Sequence, residues 1–314
     1  MAELAYRRLS YDALTNWAAD DHQAALDVFL TTATDFADQD WRALSAHYQT
    51  ARSFFETNFT PVLIEDGSPC LFTGYYEPEI TGSREPTDTF CVPIYALPED
   101  PSAFTRKQID HDQALAGHGL EIAYLADPVD LFFLQVQGSG RIVLSDGHKM
   151  RVGFAGKNGR AYTSIGKLLI ARSALSAEEI SPETIRAWIK RNGDAGRRLL
   201  WENESYVFFR ELTQVAADQG PIGTLGKSIT PLRSIAVDPD RIPLGAPVWI
   251  ENAKMTQLMV AQDTGSAIKG SQRADIFFGT GQTAGERAGD VNETGRMVVL
   301  LPNAMADKLC GRGH

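Results

Sequence analysis

The chain begins with helical periodicity and changes texture at Pro61. In ALTNWAADDHQAALDVFLTTATDF, Leu26, Phe29 and Leu30 share one helical face, and Ala33 and Phe36 continue it. Ser10 and Asp12 are candidate caps for this helix. A second helix is predicted over WRALSAHYQTARSFFETNF, with Trp41, Leu44, Tyr48, Ala51 and Phe55 along one side. Core packing accounts for these aromatic residues without any ligand.

Beyond Pro61, short apolar runs alternate with turns. Strands are predicted in PVLIEDGSPCLFTGYYEPEITGS, CVPIYALP, LEIAYLA, DLFFLQVQGSGRIVL and HKMRVGFAG. Asp66-Gly67 and Asp146-Gly147 supply turns, the second within a hairpin. A short helix is predicted over RKQIDHDQAL, Arg106 to Leu115. Helical spacing returns from Tyr162 to Leu200, where Ser181-Pro182-Glu183-Thr184 has serine at the N-cap and proline at the first helical position. NESYVFFREL then reads as a strand. The remainder, through SIAVDPD, TQLMVAQDTG, ADIFFGTG and GRMVVLLP, is short strands broken by glycine and proline. This is barrel-like spacing with no βαβ rhythm. The β-rich segments before Leu97 and after Ile222 are expected to pack together. On that reading residues 1–97 and 222–314 form one discontinuous domain, and 98–221 form a smaller inserted one.

Composition narrows the chemistry. The 314 residues are 43% hydrophobic and 22% charged, ordinary for a chain with a substantial core. The formal charge of −10, with no block dense in lysine or arginine, argues against a nucleic-acid partner. Three cysteines form no CxxC, and six histidines, His22, His47, His111, His118, His148 and His314, make no tight ligand set, so no metal is expected. GSAIKG lacks the spacing of a phosphate loop, GKNGRAYTS fits no dinucleotide fingerprint, and QGSGR is not a nucleophile elbow. No cofactor is expected. The first residues contain no apolar signal core and no lipobox cysteine, and no run approaches the roughly 20 apolar residues of a membrane span. The chain reads as soluble and, with no evident oligomerisation segment, monomeric.

Carboxylates remain as candidates. Asp238 follows the apolar run SIAV, Asp263 follows LMVAQ, and Asp275 precedes IFF. All three stand at strand ends, which can converge at one rim of a barrel. A carboxyl flanked by Ile276, Phe277 and Phe278 would be partly desolvated, which raises its pKa and suits it to general acid work. Lys269 or Arg273 could offset that rise. The plainer reading makes Asp263-Thr264-Gly265 a capped turn and Asp275 the start of a strand. Tyr75, Tyr76, Glu77 and Glu79 suit sugar faces and hydroxyls, and equally suit a strand edge. Gln135, Gln137 and Ser139 could hydrogen-bond acetamido groups from one strand face, or lie there for no special reason.

The stretches TGYYEPEITGS, DLFFLQVQGSGRI, GKNGRAYTSIG, NESYVFFRE, TPLRSIAVDPDRIPLGAPVWI, AQDTGSAIKGSQRADIFFGTG and AGERAGDVNETGRMVVLLP, in this order from Gly74 to Pro302, together resemble the membrane-bound lytic murein transglycosylase A family. The region from Val237 also resembles the small module named for three aspartates, with Asp238, Asp263 and Asp275 matching the triplet. The resemblance implies a mainly β fold with helical additions. Its double-psi β-barrel domain and a smaller inserted β-rich domain are separated by a cleft. It implies cleavage of the β-1,4 bond between N-acetylmuramic acid and N-acetylglucosamine in peptidoglycan, with a 1,6-anhydromuramoyl product. DIFFG carries the family's catalytic aspartate onto Asp275 and DTGSAIKG a supporting one onto Asp263. Asp238, Tyr75, Tyr76, Glu77, Gln135, Gln137, Ser139 and Lys269 are expected to support the site or bind glycan. Location in the periplasm or at the periplasmic face of the outer membrane is implied, beside other cell-wall enzymes. SQRA, Ser271 to Ala274, departs from the family's spacing. A hydrolytic glycosidase using Glu77 or Glu79 as second carboxylate, and a non-catalytic glycan-binding module, are the rival readings.

Overall fold

The computed structural model describes residues 4–33, 39–42, 44, 48–216 and 219–311. Phe36, His47 and His314 lie outside these, as do positions 43, 45 and 46 of the second expected helix. The protein is mainly β with helices added, 31% strand and 29% helix. It condenses into two units. The first comprises residues 1–76, 218–279 and 284–314; the second comprises 77–217 and 280–283. The chain thus leaves the first unit at Tyr76, earlier than Leu97.

The first unit opens with β1 (Ala5–Arg8), α1 (His22–Ala33), α2 (Gln39–Arg42), α3 (Ala51–Asn58), β2 (Phe59–Glu65) and β3 (Leu71–Glu77). The predicted first helix starts at His22 instead of Ala13, because residues 11–19 coil into two short 3-10 turns and Asp21, not Ser10 or Asp12, caps α1 by accepting from Ala24 N at 3.1 Å. Leu26 and Phe29 enter the core as expected, whereas Leu30 is exposed. The second predicted helix is divided. Thr50 takes an extended backbone and forms a capping box with Ser53, which starts α3 afresh.

The second unit follows with β4 (Glu79–Ser83), β5 (Val92–Tyr95), α4 (Arg106–Asp110), β6 (Glu121–Leu125), α5 (Pro128–Gln137), β7 (Ser139–Val143) and β8 (Lys149–Lys157). It continues with α6 (Ile165–Ala171), α7 (Pro182–Arg191), α8 (Gly193–Trp201) and β9 (Val207–Glu211). Its six-stranded sheet runs β5-β6-β4-β7-β8-β9. The segment from Asp130 to Gln137, predicted as strand, is helix. Asp127 accepts from Val129 N, Pro128 occupies the first turn, and Gly138 closes the helix in the left-handed conformation at φ 77°. One side of α5 packs Val129 and Phe132 against Ile165, Leu169, Ile185 and Leu199 of the following helices. The other sends Leu131 and Leu134 into the sheet with Ile142 and Val152. Ser181 and Thr184 form the capping box expected at the start of α7.

The chain then returns to the first unit with β10 (Ser234–Val237), β11 (Pro247–Asn252), β12 (Thr256–Thr264), β13 (Arg273–Thr280), α9 (Gln282–Gly289), β14 (Asn292–Glu293), β15 (Gly295–Pro302) and α10 (Asn303–Cys310). Its sheet runs β1-β2-β15-β11-β12-β10-β13-β3-β14. Among the described residues no ladder joins β1 to β14, so pairing does not close the barrel that the family resemblance implies. Side chains from both faces of the sheet, Val260, Val298 and Leu300 on one and Val248 and Ile276 on the other, join a single core cluster with Phe29, Phe54 and Phe55 of α1 and α3. The segment Ser271–Ala274 is well anchored: Ser271 and Gln272 are buried, and the Gln272 amide donates to Ile64 O and Met297 O.

Candidate active site

The short strand β10 lies between the two aspartates of interest. Ala236 is opposite Asp263 in the parallel ladder with β12 and opposite Asp275 in the antiparallel ladder with β13. A register shift between Ile235 and Ala236 brings Asp263 to this level. Strand alternation then sorts the side chains. Ala274, Ile276 and Phe278 belong to the main core, while Phe277 joins Tyr75, Ile229, Ala236 and Ile268 in a separate small cluster. Asp275 is two residues from Phe277 and shares its face. Its apolar surroundings are therefore Phe277 and its cluster, not Ile276 and Phe278.

Asp275 keeps partial exposure but is packed about by protein. Thr73, on β3, donates from Oγ1 to Asp275 Oδ1 at 2.5 Å. Arg273 donates from Nη2 to Thr73 Oγ1 at 2.8 Å and from Nη1 to Leu71 O and Ala274 O. Burial raises the Asp275 pKa above the ordinary aspartate value. The Thr73 donor and the Arg273 charge pull it down, the Asp263 charge pushes it up, and the net is a rise.

Asp263 is more fully engaged. Its Oδ2 accepts from Tyr75 OH at 2.9 Å; its Oδ1 accepts from Thr224 N at 3.0 Å, Thr224 Oγ1 at 2.9 Å and Thr264 N at 2.9 Å. Burial still raises its pKa against these donors. Thr224 can reach it because position 223 is glycine: a Cβ there would stand 2.8 Å from Gln262 O. Burial, followed by the charges of Asp263 and Asp275, keeps the Tyr75 phenol protonated far above its usual range.

The other candidates do different things. Asp238 clasps the loop before β13, accepting from Gly270 N at 2.9 Å and from Lys269 Nζ at 3.0 Å. Burial would raise its pKa, but these donors and Asp240 N outweigh it and hold the carboxyl low. Lys269 is thereby paired with Asp238, and also approaches Asp240 at 3.7 Å. Tyr76 is half-buried, and its ring lies against Gly285, where a Cβ would come within 2.8 Å of it.

In the second unit, Glu77 is wholly buried between Arg141 Nε at 2.8 Å and Arg151 Nε at 3.0 Å, with Thr280 Oγ1 donating at 2.8 Å. Glu79 pairs with Lys149 at 2.6 Å. Gln135 and Gln137 sit on α5 instead of a strand; Gln135 is buried and donates to Val207 O at 3.2 Å, and Gln137 is half-buried. Ser139 is buried at the start of β7 opposite Gly153. The structure thus gathers Asp275, Asp263 and Tyr75, and adds Thr73 and Thr224, which the sequence reading did not single out. Thr73 was within reach of that reading, since it precedes Tyr75 by two on a predicted strand; Thr224 carries no local signal. Among the described residues no group of three or more His, Cys, Asp or Glu side chains is placed to hold a metal.

Two family models match: the MltA specific insert domain over residues 71–210 and the 3D domain over residues 233–301. The second contains Asp238, Asp263 and Asp275. A curated relative, the membrane-bound lytic murein transglycosylase A of Escherichia coli strain K12, is 38% identical over 245 residues, 73% of this chain and 65% of its own length. The chain spans 64–65% of the length of the curated relatives it matches first. Among solved structures, a membrane-bound lytic murein transglycosylase from Agrobacterium tumefaciens superposes with TM-score 0.87 at 31% identity, covering 97% of this chain and 99% of that one. E. coli MltA with bound chitohexaose superposes with TM-score 0.76 at 28% identity, covering 95% and 94%.

Proposed function

Given that the chain belongs to the membrane-bound lytic murein transglycosylase A family, we propose that it is a peptidoglycan lytic transglycosylase. It cleaves the β-1,4 bond between N-acetylmuramic acid and N-acetylglucosamine without water and leaves a 1,6-anhydromuramoyl end. Asp275 is the catalytic residue. The observation that carries this reading is the contrast between two neighbouring carboxyls. Both have a raised pKa and partial exposure, but among the described residues Asp263 spends its oxygens on four donors, whereas Asp275 has one and keeps its second oxygen open.

One carboxyl suffices because the nucleophile belongs to the substrate. A hydrolase needs a second carboxylate to handle water or form a glycosyl intermediate. Here the muramyl C6 hydroxyl attacks C1 of its own ring, and well-oriented intramolecular attack can be worth up to about 7–11 kcal/mol. Protonated Asp275 gives its proton to the glycosidic oxygen as the C1–O bond breaks. The carboxylate then takes the C6 hydroxyl proton as the anhydro ring closes. Asp263, Tyr75 and Thr224 hold the surrounding strands and dipoles in place, and Asp238 with Lys269 fixes the loop before β13. The inserted unit, with β7, α5 and their neighbours, is the part we assign to glycan binding; that a member of the family holds a glycan chain at all is supported by E. coli MltA with bound chitohexaose. The substrate implies action in the periplasm; among the described residues no helix is long and apolar enough to cross a membrane.

The test is digestion of isolated sacculi followed by mass analysis of the muropeptides. Anhydro ends support the lyase reading. Reducing ends, each one water heavier, would point to hydrolysis, and binding without turnover to a glycan-binding module. Asp275→Ala should abolish turnover while leaving the unfolding temperature near that of the parent; intact turnover would sink the assignment.

A further inference from the structure

We propose that Thr73, oriented by Arg273, determines which oxygen of Asp275 carries the transferred proton. The inference rests on Asp275 as the acid and base of the reaction proposed above. A threonine hydroxyl has one proton to give. A guanidinium only donates, and Arg273 Nη2 occupies a lone pair of Thr73 Oγ1 at 2.8 Å. Among the described residues Thr73 Oγ1 has no acceptor other than Asp275 Oδ1, so its proton is directed there. Oδ1 therefore accepts from Thr73 whether Asp275 is protonated or not.

Asp275 Oδ2 has no hydrogen-bond partner among the described residues and is left to carry the acidic proton. The same atom works in both half-steps. It loses its proton to the glycosidic oxygen, which keeps the electron pair of the breaking C1–O bond. It regains a proton from the C6 hydroxyl as that oxygen bonds to C1, and Asp275 ends as it began. Without the Thr73 donor, the carboxyl could hold its proton on either oxygen, and half of that population would be turned away from the substrate. The remaining ionisable neighbours are Arg273 on its own strand, Asp263 on β12 and Tyr75 on β3. None of them donates to Oδ1 or Oδ2. Thr73 is thus a positioning residue, two positions before Tyr75 on β3, and Arg273 holds it from β13.

Thr73→Val removes the hydroxyl and keeps the shape; Thr73→Ser keeps the hydroxyl. Release of anhydro ends from solubilised glycan strands is followed across pH, with thermal unfolding alongside. Thr73→Ser should stay within about threefold of the parent. Misplacing the proton costs only about twofold, but Oδ1 also becomes part of a carboxylate as the proton leaves, and loss of a hydrogen bond to a charged group corresponds to about 10–100-fold, so Thr73→Val should lose about that much in kcat with KM little changed. Its alkaline limb should move to higher pH, because the donor that opposed the effect of burial is gone. If Thr73→Val fails to fold, Thr73→Ala should show the same loss and the same shift. Parental kcat and pH limb in the hydroxyl-free variant would overturn the inference, as would a loss in Thr73→Ser as deep as in Thr73→Val. Reducing ends from the parent protein would overturn the reaction reading first, before any variant is compared.

Discussion

Replacing Glu77 by glutamine separates a structural ion cluster from a second catalytic carboxylate. The Glu77 side chain is fully buried, and its two partners, Arg141 and Arg151, expose only 12% and 6% of theirs. Solvent therefore screens little of the interaction. At separations of 2.8 and 3.0 Å, an effective dielectric near 20 gives about 5–6 kcal/mol of attraction per pair. Dehydration of the three charges consumes most of that gain, and removing one charge of such a set costs about 3–5 kcal/mol because the remaining buried charges lose that compensation. Glu77→Gln preserves the shape but leaves two guanidinium groups facing each other, so this range applies. At roughly 2–4 °C per kcal/mol for a domain near this size, the second unit should melt about 6–20 °C lower. Calorimetry would register the shift, and a separate lower transition is expected if the two units unfold independently. Turnover per folded molecule, measured well below that transition, should stay within severalfold of the parent. An unchanged melting temperature with turnover reduced a hundredfold or more would refute the reasoning and return Glu77 to the chemistry.

Three further outcomes follow from the same geometry. Asp275→Asn should stabilise the first unit in a pH-dependent way. The native carboxyl has a raised pKa, so its favourable contribution is full below the ordinary aspartate value and is lost as pH rises through the raised one; the melting-temperature gain of the asparagine variant should therefore grow from acid to neutral pH, and a flat difference would count against burial as the cause. Tyr75→Phe removes one donor from Asp263, which should cost about 1.5–3 kcal/mol in chemical denaturation; no change would mean that water or another group replaces the phenol. Ser181→Ala removes the cap of α7 and should destabilise the second unit by about 1 kcal/mol, read from the same melts without effect on turnover.

Much of this was legible in the sequence where local signals agree. The short strands from Ser234 onward alternate cleanly between turns, and Ser181-Pro182 announces α7. DLFFLQVQ misleads because a short apolar run fits a buried strand and a helix equally. The deciding signal was upstream in Asp127-Pro128, and with it Gln135 moves from a sheet face into the packing around Val207. Phe277 but not Ile276 or Phe278 surrounds Asp275, a matter of strand alternation that the sequence already contained. Lys269 was placed near the acid by proximity in sequence, yet Asp238 claims it. Thr73 and Thr224 illustrate a different limit. Each meets its aspartate only through a ladder or loop approach between distant segments; strand alternation with Tyr75 places Thr73 on the right face but does not name its partner, and for Thr224 there is no local pattern at all.

The order in which these segments are made has its own consequence. Thr73 and Tyr75 come from β3, while Asp263 and Asp275 belong to strands made after the whole second unit. At about 5–20 residues per second, translation needs roughly 10–40 s to pass from the one group to the other. During that interval all of the second unit except residues 280–283 is made, while β3 waits for β13. A chain stopped before Asp275 would therefore carry nearly all of the insert and half of the surroundings of that carboxyl without the carboxyl itself. The carboxyl on which the proposed reaction depends is among the last things synthesis supplies.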